Sequence, residues 1–344
     1  MKPYEWMVKF TPQTEWVQGR GVLLLLAFYS GGLGGGLYLI SLYFQSFAGM
    51  VLGWLIVLVL KGGFHMAFLG HPERFWRMIT RVGTSWISRG LVVVGAFLLL
   101  AGLQLALSYG GGDGESRLVL GLTVGAALMA FCTVIYTGFV LNYVQAIPFW
   151  NSALLPVLFV LYSLLGGLGL FMAVALASGA PGLAAAERMS SLLLVAVALL
   201  VAIHLVGATH QRGAGRASVR RLLVGDAAPF FWIGLVLLGF AVPLGVGLLH
   251  QTGWNIGPGV LISAVLSELV GGLAFRYCVL KAALYNPLVA SVEYGSPRFC
   301  GGSPPRPQQG PGPPHAILAP GGGFQPAPAW CFQGVWRQGP FLAF

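Results

Sequence analysis

The sequence predicts an all-α integral membrane protein whose eight transmembrane helices form two four-helix bundles. Three observations carry the prediction. Eight stretches are apolar over the ~20 residues that a helix needs to cross a bilayer. Only 8% of the 344 residues are charged and 57% are hydrophobic, whereas a soluble domain keeps about a quarter of its residues charged. The cations fall in alternate loops between the apolar stretches.

The backbone of a lipid-embedded segment must satisfy its own hydrogen bonds, so apolar runs of this length are helices. Spans are expected at about 20–46, 50–69, 90–109, 118–141, 153–177, 190–209, 229–250 and 258–284. This divides the chain into an N-terminal segment (1–19), a first bundle (20–149), a second bundle (150–290) and a tail (291–344). The first apolar run leads into further spans and reads as a true span, not a cleaved signal peptide. Glycines cluster inside spans, as in Gly31-Gly32-Leu33-Gly34-Gly35-Gly36 and Gly166-Gly167-Leu168-Gly169. Small residues there allow close backbone approach, because no hydrophobic force drives helices together in lipid. A weak repeat relates Tyr29-Ser30-Gly31-Gly32 to Tyr162-Ser163-Leu164-Leu165. It signals either two parallel halves or chance likeness between glycine-rich helices.

One side of the membrane carries Lys2, Lys9 and Arg20, then Arg74, Arg77, Arg81 and Arg89, then Arg212, Arg216, Arg220 and Arg221, then Lys281; the other carries Arg117 and Arg188. The positive-inside rule puts both termini in the cytoplasm. A dock for an acidic partner would give the same asymmetry. The net charge of +10 therefore reports topology, lipid or a partner subunit and does not point to nucleic acid. The tail from Gly295 holds 11 of 21 prolines and no Asp or Glu. It reads as disordered, or as a frameshifted end.

Ionisable groups at membrane depth are the candidates for function. Lys61 and His65 lie four apart on the second span, on one face. Lys61 either snorkels to the interface or serves a buried role. His65 reads as a helix-bonded imidazole, a donor to a quinone carbonyl or a haem ligand. Glu268 and Arg276 are eight residues apart on the last span, about 12 Å of rise and roughly 80° of rotation, so a direct pair is not expected. With desolvation favouring a neutral carboxyl, Glu268 is a proton-relay candidate, joined by Arg276, Lys61 and His204. His204 and His65 on separate helices would suit a b-type haem. Asp226, just before the seventh span, reads as a helix cap. The four cysteines, Cys132, Cys278, Cys300 and Cys331, form no CxxC, so no iron–sulfur cluster is expected in this chain.

The stretch Phe64–Met78 (FHMAFLGHPERFWRM), followed by Thr84–Gly90 (TSWISRG), resembles the signature loop of the NrfD/PsrC family, the membrane subunits of polysulfide-reductase-like complexes. The glycine-rich first span, the Tyr136-Thr137-Gly138 and Pro148-Phe149-Trp150-Asn151 join, and Gly271–Tyr277 resemble further blocks of that family in the same order. The resemblance implies a quinone- or quinol-binding subunit (menaquinone or ubiquinone) without haem. It implies electron exchange with a ferredoxin-like iron–sulfur subunit and a molybdopterin-type catalytic subunit beyond it, in the cell (inner) membrane. It places the quinone near Tyr136, with Glu15, Trp16 and Gln18 falling where the family has first-helix site residues, though not with the Asn and His of its usual pattern. His65 lies near the same basic face. Arg74, Arg77 and Arg89 are expected to shape the loop and dock the partner. A secondary transporter and a haem-b anchor are the rival readings.

Overall fold

The computed structural model describes residues 5–110, 116–179, 181–211 and 213–288. The proline-rich tail, Lys2, Arg212, Cys300 and Cys331 lie outside the described residues. Eight helices among those described are long and apolar enough to cross a bilayer: Gly21–Tyr43, Phe47–Phe68, Trp86–Tyr109, Arg117–Asn142, Leu154–Ser178, Leu183–His210, Phe230–Gln251 and Pro258–Lys281. Local chemistry sets their ends. Gln45, with φ of 54°, closes the first span early. Ser46 caps the second by accepting from the Gly49 N–H at 3.3 Å, and Ser85 caps the third by accepting from the Ser88 N–H at 3.4 Å. The sixth span starts seven residues ahead of the expected 190, at Leu183. Its polar first turns hold because Glu187 is paired there with His250 of the seventh span.

The first span is the hub. It packs on the second, fourth and fifth spans and touches the eighth. Glycine permits this. A Cβ on Gly36 would fall on the Ser163 carbonyl of the fifth span, and one on Gly167 would meet the Gly36 backbone. The two glycine-rich runs are thus the two sides of one seam. Similar backbone approaches join Gly138 to Pro156 and Gly239 to Gly271. In lipid such close packing is a main source of helix association.

Two helices depart from α geometry. Ile56–Lys61 is a π segment inside the second span, and Phe230–Ala241 is a longer one opening the seventh. A π segment shifts the facing of every later side chain, and such bulges recur at functional sites. On the arginine-rich side, Thr11–Pro12 pairs antiparallel with Leu284–Tyr285. The Asn286 N–H donates to the Ala146 carbonyl at 3.0 Å, tying this ladder to the fourth-to-fifth join.

Asp226 is not a helix cap. Arg221 donates to both of its carboxylate oxygens, at 2.6 and 2.7 Å, and the helix starts after it, with the Phe231 N–H bonded to the Ala227 carbonyl. A two-pronged charged bond competes better for the carboxylate than a single backbone N–H. It also holds the Asp226 carboxyl below the usual range.

Gly36→Val should lower stability by at least about 1–3 kcal/mol through overpacking of the seam. Gly63→Ala, with open space around its Cβ, should stay within about 0.5 kcal/mol of wild type. Thermal unfolding in detergent checks both. A depressed carboxylate pKa gives stability that is present above the unfolded-state value and lost as pH falls through the folded one. Asp226→Asn should therefore cost less than about 1 kcal/mol at neutral pH, since the pair is partly exposed. That gap should close as pH is lowered from roughly 4 downward.

Candidate functional site

Two adjacent glycines of the first span, Gly31 and Gly32, each face a buried cation. On one side the Lys61 side chain lies over Gly31, so that a Cβ there would come within 2.7 Å of Lys61 Cδ and 2.9 Å of Nζ. On the other, a Cβ on Gly32 would meet Arg276 Nη2 at 2.6 Å. Lys61 is 6% exposed and Arg276 2%. Lys61 does not snorkel, contrary to one reading of its sequence. The π segment that ends on it turns it inward, and the bare Gly31 surface gives its methylenes room.

Lys61 faces Tyr136. Its Nζ stands 5.8 Å from the ring centroid, inside the range of a cation–π contact. The ring itself lies against Gly90, where a Cβ would come within 2.6 Å of the hydroxyl oxygen. Tyr136 is buried, and its position is set by the absence of a side chain at Gly90. His65, one turn beyond Lys61, is half-buried, with a buried Nδ1 that has no partner. Lys61 makes no ion pair among the described residues. Three second- and fourth-span groups, Tyr136, Lys61 and His65, thus assemble near the arginine-rich face with hydrogen-bonding capacity to spare. Arg20 staples this end, donating to the Ala67 carbonyl at 2.9 Å and the Leu69 carbonyl at 3.2 Å.

Other expected residues sit elsewhere. Trp16 packs edge-on to Phe28 and tilted on Trp150, with centroids 6.0 and 5.3 Å away. Glu15 and Gln18 are exposed. Burial, and then the charge of Glu15, pushes the Tyr285 phenol up, which places Glu15 beside the terminal ladder. Among the described residues no hydrogen bond or ring contact joins these three to Tyr136. His204 is buried against Phe149, with centroids 5.2 Å apart, and both its ring nitrogens lack partners; no hydrogen bond or ring contact joins it to His65 among the described residues.

Arg276 and Glu268 do not pair. Arg276 Nη2 donates to Ser163 Oγ at 2.9 Å and Nη1 to the Gly272 carbonyl at 3.2 Å. Its guanidinium lies over Tyr29 and Phe159, 5.3 and 5.4 Å from the ring centroids. The Tyr29 and Ser163 of the weak repeat therefore converge on this one arginine. Glu268 accepts from Ser190 Oγ at 3.3 Å, and its second oxygen is buried and unpartnered.

The loop between the second and third spans presents Pro72–Arg81 as a 3₁₀ helix. Phe75, Trp76 and Ile79 are exposed on it, as are Arg74 and Arg77. Glu73 holds His71 at 3.0 Å and Arg74 at 3.8 Å. Arg89 is committed to the loop itself, donating to the Val82 and Gly83 carbonyls at 3.1 and 2.9 Å and stacking over Trp86 at 4.8 Å. Sequence reasoning missed Gly31, Gly90 and Arg20 as parts of the site. The only available signal was that each glycine lay in a block already singled out.

With this geometry in place, the family profile described as "Polysulphide reductase, NrfD" matches residues 20–287. The chain belongs to the NrfD family. No curated protein matches it. The NrfD match takes in all eight spans and the exposed loop. NrfD proteins are membrane subunits that associate with other subunits of oxidoreductase complexes.

Proposed function

We propose that this NrfD protein is the quinone- or quinol-binding subunit of a respiratory oxidoreductase in the cell membrane, exchanging electrons with an iron–sulfur partner subunit. The observation that carries the reading is the meeting of Lys61 with Tyr136, one turn from His65. A lysine at membrane depth costs roughly 2.5–3.5 kcal/mol on insertion scales, and here no carboxylate among the described residues offsets it. A ligand with acceptor oxygens and an apolar body fits such a place. The unpartnered His65 Nδ1, with Lys61 and Tyr136 seated on the glycine surfaces at Gly31 and Gly90, suits a head group with acceptor and donor oxygens.

A quinone supplies two-electron, two-proton chemistry when bound. The protein's part is binding and proton handling. Lys61 and Tyr136 donate hydrogen bonds to an oxygen. His65, half-buried, accepts or returns a proton at Nδ1. The apolar second, third and fourth spans exclude water. Arg276, Glu268 and His204 lie apart from this group, as candidate stations of a proton path. Glu15, Trp16 and Gln18, at the start of the first span, make no hydrogen bond or ring contact with this group among the described residues and have no part in the reading.

The exposed Phe75-Trp76-Arg77 surface of the signature loop is the dock for the iron–sulfur partner, with a molybdopterin-type subunit beyond it. Aromatic residues and Arg are enriched at such contact centres. The positive-inside rule favours cytoplasmic termini and a cytoplasmic partner.

Tyr136→Phe should slow quinol-linked electron transfer about 100-fold, in the range lost with a positioned acid–base group, with unfolding unchanged. Gly90→Leu, which drives the ring from its place, should have the same effect. Wild-type rates in both variants overturn the site. Arg74→Glu with Arg77→Glu should abolish co-purification of the iron–sulfur subunit while leaving the quinone content of the membrane subunit intact. Retention of the subunit by that double variant would remove the loop from the interface.

A further inference from the structure

A second polar interior lies on the opposite side of the glycine seam from Lys61, and it opens toward the other face of the membrane. The fifth to eighth spans leave a cleft of about 50 Å³ between them, whose mainly apolar lining carries Glu187, Ser190, Ser191 and Glu268, with Pro243 and Gly247 beside them. That volume holds a few water molecules, and the lining offers them partners. At its outer end the His250 Nδ1 stands 2.7 and 2.9 Å from the two Glu187 oxygens, and Gln251 donates to Ser191 Oγ at 2.8 Å. His250 keeps 34% of its side-chain exposure and Glu187 13%. At its inner end is Glu268, 5% exposed, with one oxygen bonded to Ser190 and the other without a partner.

Depth and direction follow from the helix starts. Glu268 is ten residues into the eighth span, which begins at Pro258. That is about 15 Å of rise, half of a hydrocarbon core of roughly 30 Å. The sixth span starts and the seventh ends on that same face, away from the arginine-rich loop. Gly169 of the fifth span backs the carboxyl, where a Cβ would stand 3.3 Å from Glu268 Oε1. Pro243 lacks an N–H to give to the preceding turn, so the seventh span is loosened where it borders the cleft. A carboxyl at mid-membrane with an unpartnered oxygen is otherwise costly.

We propose that this cleft is a water-filled half-channel that delivers protons to Glu268 from the face opposite the arginine-rich loop, with the Glu187–His250 pair at its mouth. A proton from bulk water is taken up at that pair and passes along the waters beside Ser190 and Ser191. It then adds to the Glu268 carboxylate, giving the neutral acid; release reverses the last bond. No electron moves in this step. The inference goes beyond the quinone reading and does not rest on it.

Substituted-cysteine labelling tests it in the full chain in native membranes, with the natural cysteines replaced. A charged, membrane-impermeant methanethiosulfonate is applied to vesicles of each orientation. Trp254→Cys, in the loop between the seventh and eighth spans, marks the opposite face. Ser190→Cys and Ser191→Cys should react from the side that labels Trp254→Cys. They should react about 100-fold faster than lipid-facing Leu192→Cys, because only hydrated thiols ionise and react readily. Absence of reaction at both serine positions, or reaction only from the arginine-rich side, overturns the half-channel. Protection of both by sodium but not potassium overturns the proton in favour of a metal cation. A second measurement needs no cysteine: the infrared carboxylic-acid band that Glu268→Gln removes should shift in wild type within seconds of transfer to heavy water. A band that stays unexchanged overturns the proposal even where the cysteine variants fail to fold. Because neither readout uses quinol turnover, their failure leaves the Tyr136 reading standing, and the reverse also holds.

Discussion

Backbone-to-backbone contact between the first and fifth spans is the constraint from which the other features follow. Gly36 and Gly167 let the two helices touch where any side chain would hold them apart. Once the helices are that close, the residues one and two turns toward the arginine-rich face meet across the same seam. Gly32 then faces Ser163 and the guanidinium it binds. Gly31, turned the other way, receives Lys61. The bundle gains close packing in a solvent that offers no hydrophobic drive. The same bare surface supplies two places where a long cationic side chain can lie inside the membrane.

Burial of two cations from different spans against neighbouring glycines of the first span has an electrostatic side. Low dielectric strengthens interactions between charges that water would screen. Lys61 is oriented toward Tyr136, whereas Arg276 is spread over Tyr29 and Phe159 and anchored by Ser163. The two cations are therefore held by different partners on the two sides of the first span.

Much of the architecture was legible because lipid imposes a narrow choice of structure. Each apolar run became a helix near its expected bounds, and the exceptions have local causes in Gln45, Ser85 and the Glu187–His250 pair. The fate of single side chains was less legible. Lys61 and His65 share a helical period, but the period cannot show that a π segment ends on Lys61 and turns it inward. Asp226 had the right residue type and place for a cap, and Arg221, five residues earlier, claimed it first. Trp16 sits in the aromatic packing with Trp150, a contact made only when the fourth-to-fifth join folds back under the first span. The terminal ladder was invisible, since two-residue strands carry no pattern. Glu187 and His250 were unremarkable because their meaning lies in a pairing 63 residues apart in the chain.

The two faces of the protein divide its chemistry. The arginine-rich face carries the exposed aromatic loop, the Arg20 staple and the Tyr136 group, all built from the first four spans. The other face carries the Glu187–His250 pair and the cleft, built from the fifth to eighth. A subunit that only anchored a soluble partner would need the first of these and would gain nothing from a carboxyl at mid-membrane with an unpartnered oxygen. The Gly31–Gly32 pair and its two cations lie between the two sets. If charge is to be transferred across the membrane in step with chemistry at Tyr136, that pair is the most direct place for the two sets to communicate, because the first span packs on the second and fourth and touches the eighth.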